Sequence, residues 1–173
     1  GLGSIENASG LIKELIYRSL KIVLRRSRRV FVQNDHIHSV FLSHRIAVDR
    51  LIRIPGSGVN LTKFDFHQFP SDNRIVFNFI GRVMEEKGIE DYLYVAEQIK
   101  KRNPDAIFNV IGFIEEDEDN KYAKLLKEYD EKKIIRYIGP VLDIRPYIVS
   151  SIGTIHPSKY GEGISNVLLE TCA

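Results

Sequence analysis

The stretch His156–Ala173, HPSKYGEGISNVLLETCA, decides the fold. A short β-branched strand, Ser151 to Ile155, leads into it. Pro157, Ser158, Gly161 and Gly163 break regular structure, and the apolar run Ile164 to Leu169 follows. Strand, glycine-rich turn and helix in that order present a helix N-terminus to an anionic ligand in a parallel α/β sheet. Glu162 stands in the turn, and Glu170 lies about two turns into the helix. Two carboxylates so placed can accept hydrogen bonds from two ends of one extended molecule, such as a sugar ring or a ribose.

Upstream, the rhythm from Ile75 is β-α-β-α-β-α-β-α. Strands are expected at Ile75–Gly81, Ala106–Ile111, Ile134–Ile138 and Ile152–Ile155, with Gly81, Gly112, Gly139 and His156 at their ends. Helices are expected around Ile89–Ile99, Tyr122–Tyr129 and Asp143–Ser150. Such alternation implies a Rossmann-like parallel sheet with helices on both faces. Right-handed crossovers put the four strand ends along one edge. Ligands of open α/β sheets bind outside that edge. Arg82 and Lys87 sit in the loop after the first of these strands. A planar guanidinium and a point-charge ammonium can neutralise a pyrophosphate from two directions. The alternative is a solvated basic pair beside Glu85 and Glu86.

The first third reads differently. Leu11, Ile12, Leu15, Ile16, Leu20, Val23 and Leu24 recur at helical spacing, and Lys13, Arg18, Lys21 and Arg25 fall mostly on another face. Between Gly1 and Asp35 there are seven Lys or Arg and three Asp or Glu. Such a basic amphipathic helix can lie on an anionic membrane surface. Otherwise it covers a sheet and turns its basic side to solvent, and that second reading is preferred on composition. Short strands are expected at Arg29–Gln33 and Leu51–Ile54, with a helix from Ile37 to about Arg45 capped by Asp35. Pro55-Gly56-Ser57-Gly58 ends regular structure. Phe64, Phe66 and Phe69 are expected to pin the connector that follows.

Composition bounds the function. The chain has 173 residues and a net charge of +2, with 43% hydrophobic and 28% charged residues, as in ordinary globular proteins. No apolar run reaches the roughly 18 residues of a membrane span, and no secretory signal pattern is present. No nucleic-acid module is recognisable. The lone Cys172 cannot form an internal disulfide, which fits a reducing cytoplasm, and is expected as a small buried helix residue. His36 and His38 lack further ligands for zinc. The acids Glu115 to Asp119 include an acid-x-acid pattern but read as a solvated loop. His156 is expected to be a hydrogen-bonded structural residue. No metal site or cofactor is expected.

Pro157-Ser158, Glu162-Gly163 and Asn166-Val167-Leu168-Leu169-Glu170, with Gly81-Arg82 and Glu86-Lys87-Gly88 before them, resemble the retaining glycosyltransferases of GT-B fold called family four. Thr171-Cys172-Ala173 departs mildly from the family's Ala-Met-Ala ending, and Asn60 stands where Asp is common after Pro-Gly-Ser-Gly-Val. The resemblance implies three parts. Residues 1–55 would end the N-terminal, acceptor-side domain, 56–74 would be the interdomain linker, and 75–173 would form an incomplete nucleotide-sugar-binding domain. The chain would be a fragment trimmed at both ends, binding donor at best.

By the same resemblance, Gly81, Arg82 and Lys87 would meet the donor diphosphate. Glu162 would hold hydroxyls of the transferred sugar. Gly163, Ile164, Ser165 and Asn166 would meet sugar and phosphate, Glu170 the ribose, and Gly139, Pro140 and Val141 the nucleobase. Arg82, Lys87 and Glu162 are the catalytic candidates. The nucleotide sugar, expected to be a UDP-sugar, is a substrate rather than a cofactor. The resembled bacterial members build capsule, O-antigen or exopolysaccharide, which implies a polyprenyl-linked or saccharide acceptor. It also implies a cytoplasmic protein, peripheral at the inner face of the plasma membrane through the basic first helix. Two alternatives share the architecture: a non-hydrolysing sugar-nucleotide epimerase and a non-catalytic nucleotide-sugar binding module.

Overall fold

A computed structural model describes residues 10–71, 74–114, 121–159 and 163–173. The chain divides into two compact units. One comprises Gly1–Gly58 with Tyr160–Asn166, the other Val59–Lys159 with Val167–Ala173.

In the first unit, helix α1 (Gly10–Val23) runs into a 3-10 turn at Leu24–Arg26. Strand β1 (Val30–Val32), helix α2 (Asp35–Ser43) and strand β2 (Leu51–Arg53) follow. The two strands pair in parallel, with Val30 opposite Leu51. The cap of α2 is Asn34, not Asp35. Asn34 is extended, and its side-chain oxygen accepts from the Ile37 N–H at 2.7 Å. Asp35 sits inside the first turn, near the positive helix end, and pairs with Arg53 at 3.0 Å. Tyr17, Val30, Val32, Phe41, Ile46 and Ala47 form the core.

The side that α1 buries differs from expectation. Tyr17 is buried and Leu20 and Leu24 pack beside it. The stripe of Leu11, Leu15 and Ile22 faces outward, with Leu11 88% and Ile22 74% exposed. The helix therefore carries two apolar stripes, and the one that packs is anchored by an aromatic ring. Its outward side is apolar between flanking cations rather than simply basic.

The second unit holds a four-stranded, all-parallel sheet of order β5-β4-β3-β6. Its strands are β3 (Val76–Ile80), β4 (Ile107–Ile111), β5 (Arg136–Gly139) and β6 (Gly153–Thr154). Between them run α3 (Ile89–Arg102), α4 (Lys121–Glu131) and α5 (Arg145–Val149), and α6 (Asn166–Cys172) follows β6. The alternation expected from the sequence is present, with the strands and α5 shorter and α3 and α4 longer than expected. β6 keeps two paired residues of the four expected. β5 starts at Arg136, because Ile134 and Ile135 turn back onto the Tyr129 carbonyl at the end of α4.

Phe79, Ile89, Tyr92, Leu93, Phe108, Val110 and Leu126 fill the core between sheet and helices. Two asparagines lie inside it, Asn78 on β3 and Asn109 opposite on β4. The Asn109 amide donates to Asn78 Oδ1 at 2.9 Å, and the Asn78 amide donates to the Tyr147 carbonyl on α5 at 2.7 Å. The Tyr92 hydroxyl lies within bonding distance of the Phe77 and Asn109 carbonyls. Burial pushes its pKa far up, so it stays a neutral donor.

Of the three connector phenylalanines, only Phe64 is buried; Phe66 and Phe69 are exposed. One ring suffices to hold the segment. Cys172 is exposed rather than buried, because it lies on the wall of an open cavity at the end of α6.

Candidate functional site

The sheet order fixes where a ligand crevice falls. From β3 the chain moves outward to β4 and β5, then returns to place β6 on the other side of β3. The order therefore reverses between β3 and β6, and their carboxyl ends define a topological switch point. The loops leaving those ends are 81–88 and 155–159.

The loop after β3 is held along its length. The Gly81 N–H donates to Ile111 O and the Val83 N–H to Phe113 O, both at 2.9 Å. Val83 is fully buried and bridges to Ile114, so pairing continues past the strand end. Arg82 is thus fixed on both sides while its side chain is exposed. Glu85–Lys87 form a 3-10 turn, with Lys87 half-buried. Gly88 follows at φ +72° and opens α3. A Cβ at Gly88 would stand 2.1 Å from the Pro157 carbonyl oxygen, so only glycine allows the two loops to meet there.

That contact is one of several. The Ser158 hydroxyl and the Lys159 N–H both donate to the Glu86 carbonyl, at 3.3 and 3.0 Å. The Lys159 ammonium pairs with Asp91 at 3.2 Å. Beside it, Glu90 accepts from Lys121 at 2.6 Å, and this partner holds the Glu90 carboxyl below its usual pKa. The sequence had singled out neither Lys159 nor Asp91. Their pairing spans two β-α units, so no local spacing could announce it.

The strand-end glycines stand in a row, as expected. The Gly112 N–H donates to Gly139 O at 2.9 Å, and a Cβ on Gly112 would come within 1.9 Å of Gly81 O. The Tyr137 hydroxyl closes on Gly112 O. Gly139 is buried, Pro140 exposed and Val141 half-buried at the end of β5. Beyond them, Arg145 forks onto Asp143 and holds its carboxyl down to about 2.

The remaining candidates group otherwise. Glu162 and the acids Glu115–Asp119 lie outside the described residues. Gly163, Ile164 and Asn166 belong to the first unit, where they meet Gln33, Gly56 and Ser57 respectively. Ser165 stands between them, half-buried. α6 begins at Asn166 and Glu170 falls in its second turn. Glu170 lines a cavity of about 370 Å³ shared with the 63–70 segment, α5 and Gly153. Among the described residues no group of three or more His, Cys, Asp or Glu side chains could hold a metal, and no helix is long and apolar enough to cross a membrane.

An α/β protein of two parallel sheets with glycine-edged strand ends at a switch point is a fold of the GT-B type. Residues 62–173 match the family model of the glycosyl transferases group 1, and the chain belongs to that family. No curated protein matches it. Among solved structures, the chain is similar to Alr3699/HepE of Anabaena in complex with UDP and glucose. Identity is 16%, coverage 99% of this chain and 48% of that one, and TM-score 0.74. It is also similar to a mutant of S. aureus TarM in complex with fondaparinux, α-GlcNAc-glycerol and UDP, at 17% identity, 96% and 31% coverage and TM-score 0.67. A third is WaaG, a glycosyltransferase involved in lipopolysaccharide biosynthesis, at 16% identity, 97% and 50% coverage and TM-score 0.65. The chain spans about half the length of the Anabaena protein.

Proposed function

We propose that this chain is the donor-binding part of a retaining hexosyltransferase that moves sugar from a nucleotide diphosphate sugar, a UDP-sugar, to a saccharide or polyprenyl-linked acceptor in surface-polysaccharide synthesis. In this reading residues 1–55 end the acceptor-side domain, 56–74 link, and 75–173 carry the donor site. The observation that carries it is the anchored loop 81–88 at the β3–β6 switch point, with Arg82 exposed on a backbone fixed from both sides. Membership in the glycosyl transferases group 1 supports it, and the UDP in the Anabaena and S. aureus structures agrees.

The chemistry follows from charge. As the sugar–phosphate bond stretches, the sugar becomes oxocarbenium-like and negative charge grows on the leaving diphosphate. Arg82 and Lys87 meet that charge from a backbone that needs no reorganisation, which is electrostatic catalysis. The leaving phosphate takes the acceptor hydroxyl proton, and no metal is needed. Glu162 and the 163–166 backbone hold the sugar, Glu170 the ribose, and Gly139–Val141 the base. In the cell the protein sits in the cytoplasm, peripheral at the inner membrane through the outward stripe of α1, where Arg18, Arg25 and Arg26 flank Leu11, Leu15 and Ile22.

UDP titration against Arg82→Ala tests the reading. Losing one charge-assisted contact of about 1.5–3 kcal/mol weakens binding roughly 10- to 150-fold. Unchanged affinity would remove Arg82 from the site. Isomerised sugar released without any acceptor would favour the epimerase instead.

A further inference from the structure

One residue ties the loop after β6 to loop 81–88 through its main chain and to the helix that loop opens through its side chain. The Lys159 N–H bonds Glu86 O within the 3-10 turn of loop 81–88. The Lys159 ammonium pairs with Asp91 Oδ2, in the first turn of α3. Asp91 is a fixed point, because its neighbours Tyr92 and Leu93 are locked in the core. Lys159 is on a loop. The competing acid Glu90 is already engaged by Lys121.

We propose that Lys159 and Asp91 are positioning residues: their ion pair holds the β6 loop against loop 81–88 and so places Arg82 and Lys87 for the donor diphosphate. This rests on the donor-site reading above. Both side chains are about half exposed, 50% and 54%. So wet an ion pair adds little to stability. Its effect lies in geometry, because a contact displaced by an ångström forfeits much of its worth to an anion held by several donors at once. Loss of the pair should thus appear in nucleotide affinity while leaving the melting temperature nearly alone.

The test is UDP titration of the intact protein, with a thermal melt of each variant. Lys159→Ala and Asp91→Ala are each expected to weaken UDP binding about 3- to 10-fold, and together no more than either alone. Lys159→Arg should stay within about twofold, and the exchanged pair Lys159→Asp with Asp91→Lys should recover most of the loss. Melting temperatures should stay within about 2 °C of the parent. If Lys159→Ala binds UDP like the parent while Arg82→Ala does not, the positioning role is overturned and the donor site stands. If Arg82→Ala also binds like the parent, the donor reading falls and the positioning role with it. A Lys159→Ala that melts far lower, with no recovery in the exchanged pair, marks a structural residue and overturns the proposal.

Discussion

Asn78 is a polar side chain with no exposure, on a strand otherwise built for burial. Its amide joins three elements: its own β3, β4 through Asn109, and α5 through the Tyr147 carbonyl. Asn78→Ala would leave the Asn109 amide without its partner and take one of two donors from the Tyr147 carbonyl, which keeps the Ser150 hydroxyl. A buried group left unsatisfied costs about 1–3 kcal/mol, so we expect at least about 1 kcal/mol of destabilisation, read from urea unfolding. That Arg82 and Lys87 fall in the loop after β3 was legible in the sequence, because strand, glycine and basic loop are contiguous. Asn78 and Asn109 were not, since a lone asparagine in a strand says nothing about what lies across the sheet. Lys159 and Asp91 were hidden for the same reason. Cys172 was misjudged because an apolar helix stripe does not say whether a neighbour covers it.

At the scale of elements, the end of α4 shows sequence and backbone in conflict. Lys133 is exposed at φ +57°, a left-handed conformation that costs a non-glycine residue about 1–2 kcal/mol. The Ile134 N–H bonds back to Tyr129 O around it, as glycine usually permits at a helix C-terminus. Lys133→Gly removes that strain and gives back about 0.5–1 kcal/mol to unfolded-chain entropy. The net expectation is stabilisation by roughly 0.5–1 kcal/mol, seen as a higher urea midpoint. α1 illustrates the limit of periodicity. Its sequence holds apolar residues over much of the circumference, and helical spacing cannot choose which stripe meets the body. Tyr17 settles that choice, because its ring is the largest apolar surface available to bury. The parallel sheet itself was plain from β-branched runs ending in glycine. Strand lengths were overestimated, since pairing needs a partner's length as well as one's own.

For the molecule as a whole, the outward stripe of α1 sets a prediction about surfaces. Apolar residues flanked by Arg18, Arg25 and Arg26 suit an anionic bilayer, with each cation near the surface contributing about 1 kcal/mol. The protein should cosediment with phosphatidylserine-containing vesicles, bind phosphatidylcholine vesicles weakly, and lose the anionic preference at high salt. A variant with Leu11 and Ile22 changed to Glu should bind neither. Equal binding of that variant would discard the membrane contact.

The buried amide pair also bears on how the chain finds its structure. A parallel strand slipped by two residues still turns the same side chains to each face, so burial alone barely distinguishes it from the native pairing. Here such a slip puts Asn78 opposite Ile107 or Ile111. The Asn109 amide and the Asn78 carbonyl oxygen would then each lose a partner inside an apolar core, a handicap of about 2–6 kcal/mol. Asn78 and Asn109 thus favour the native alignment of β3 and β4 over a two-residue slip.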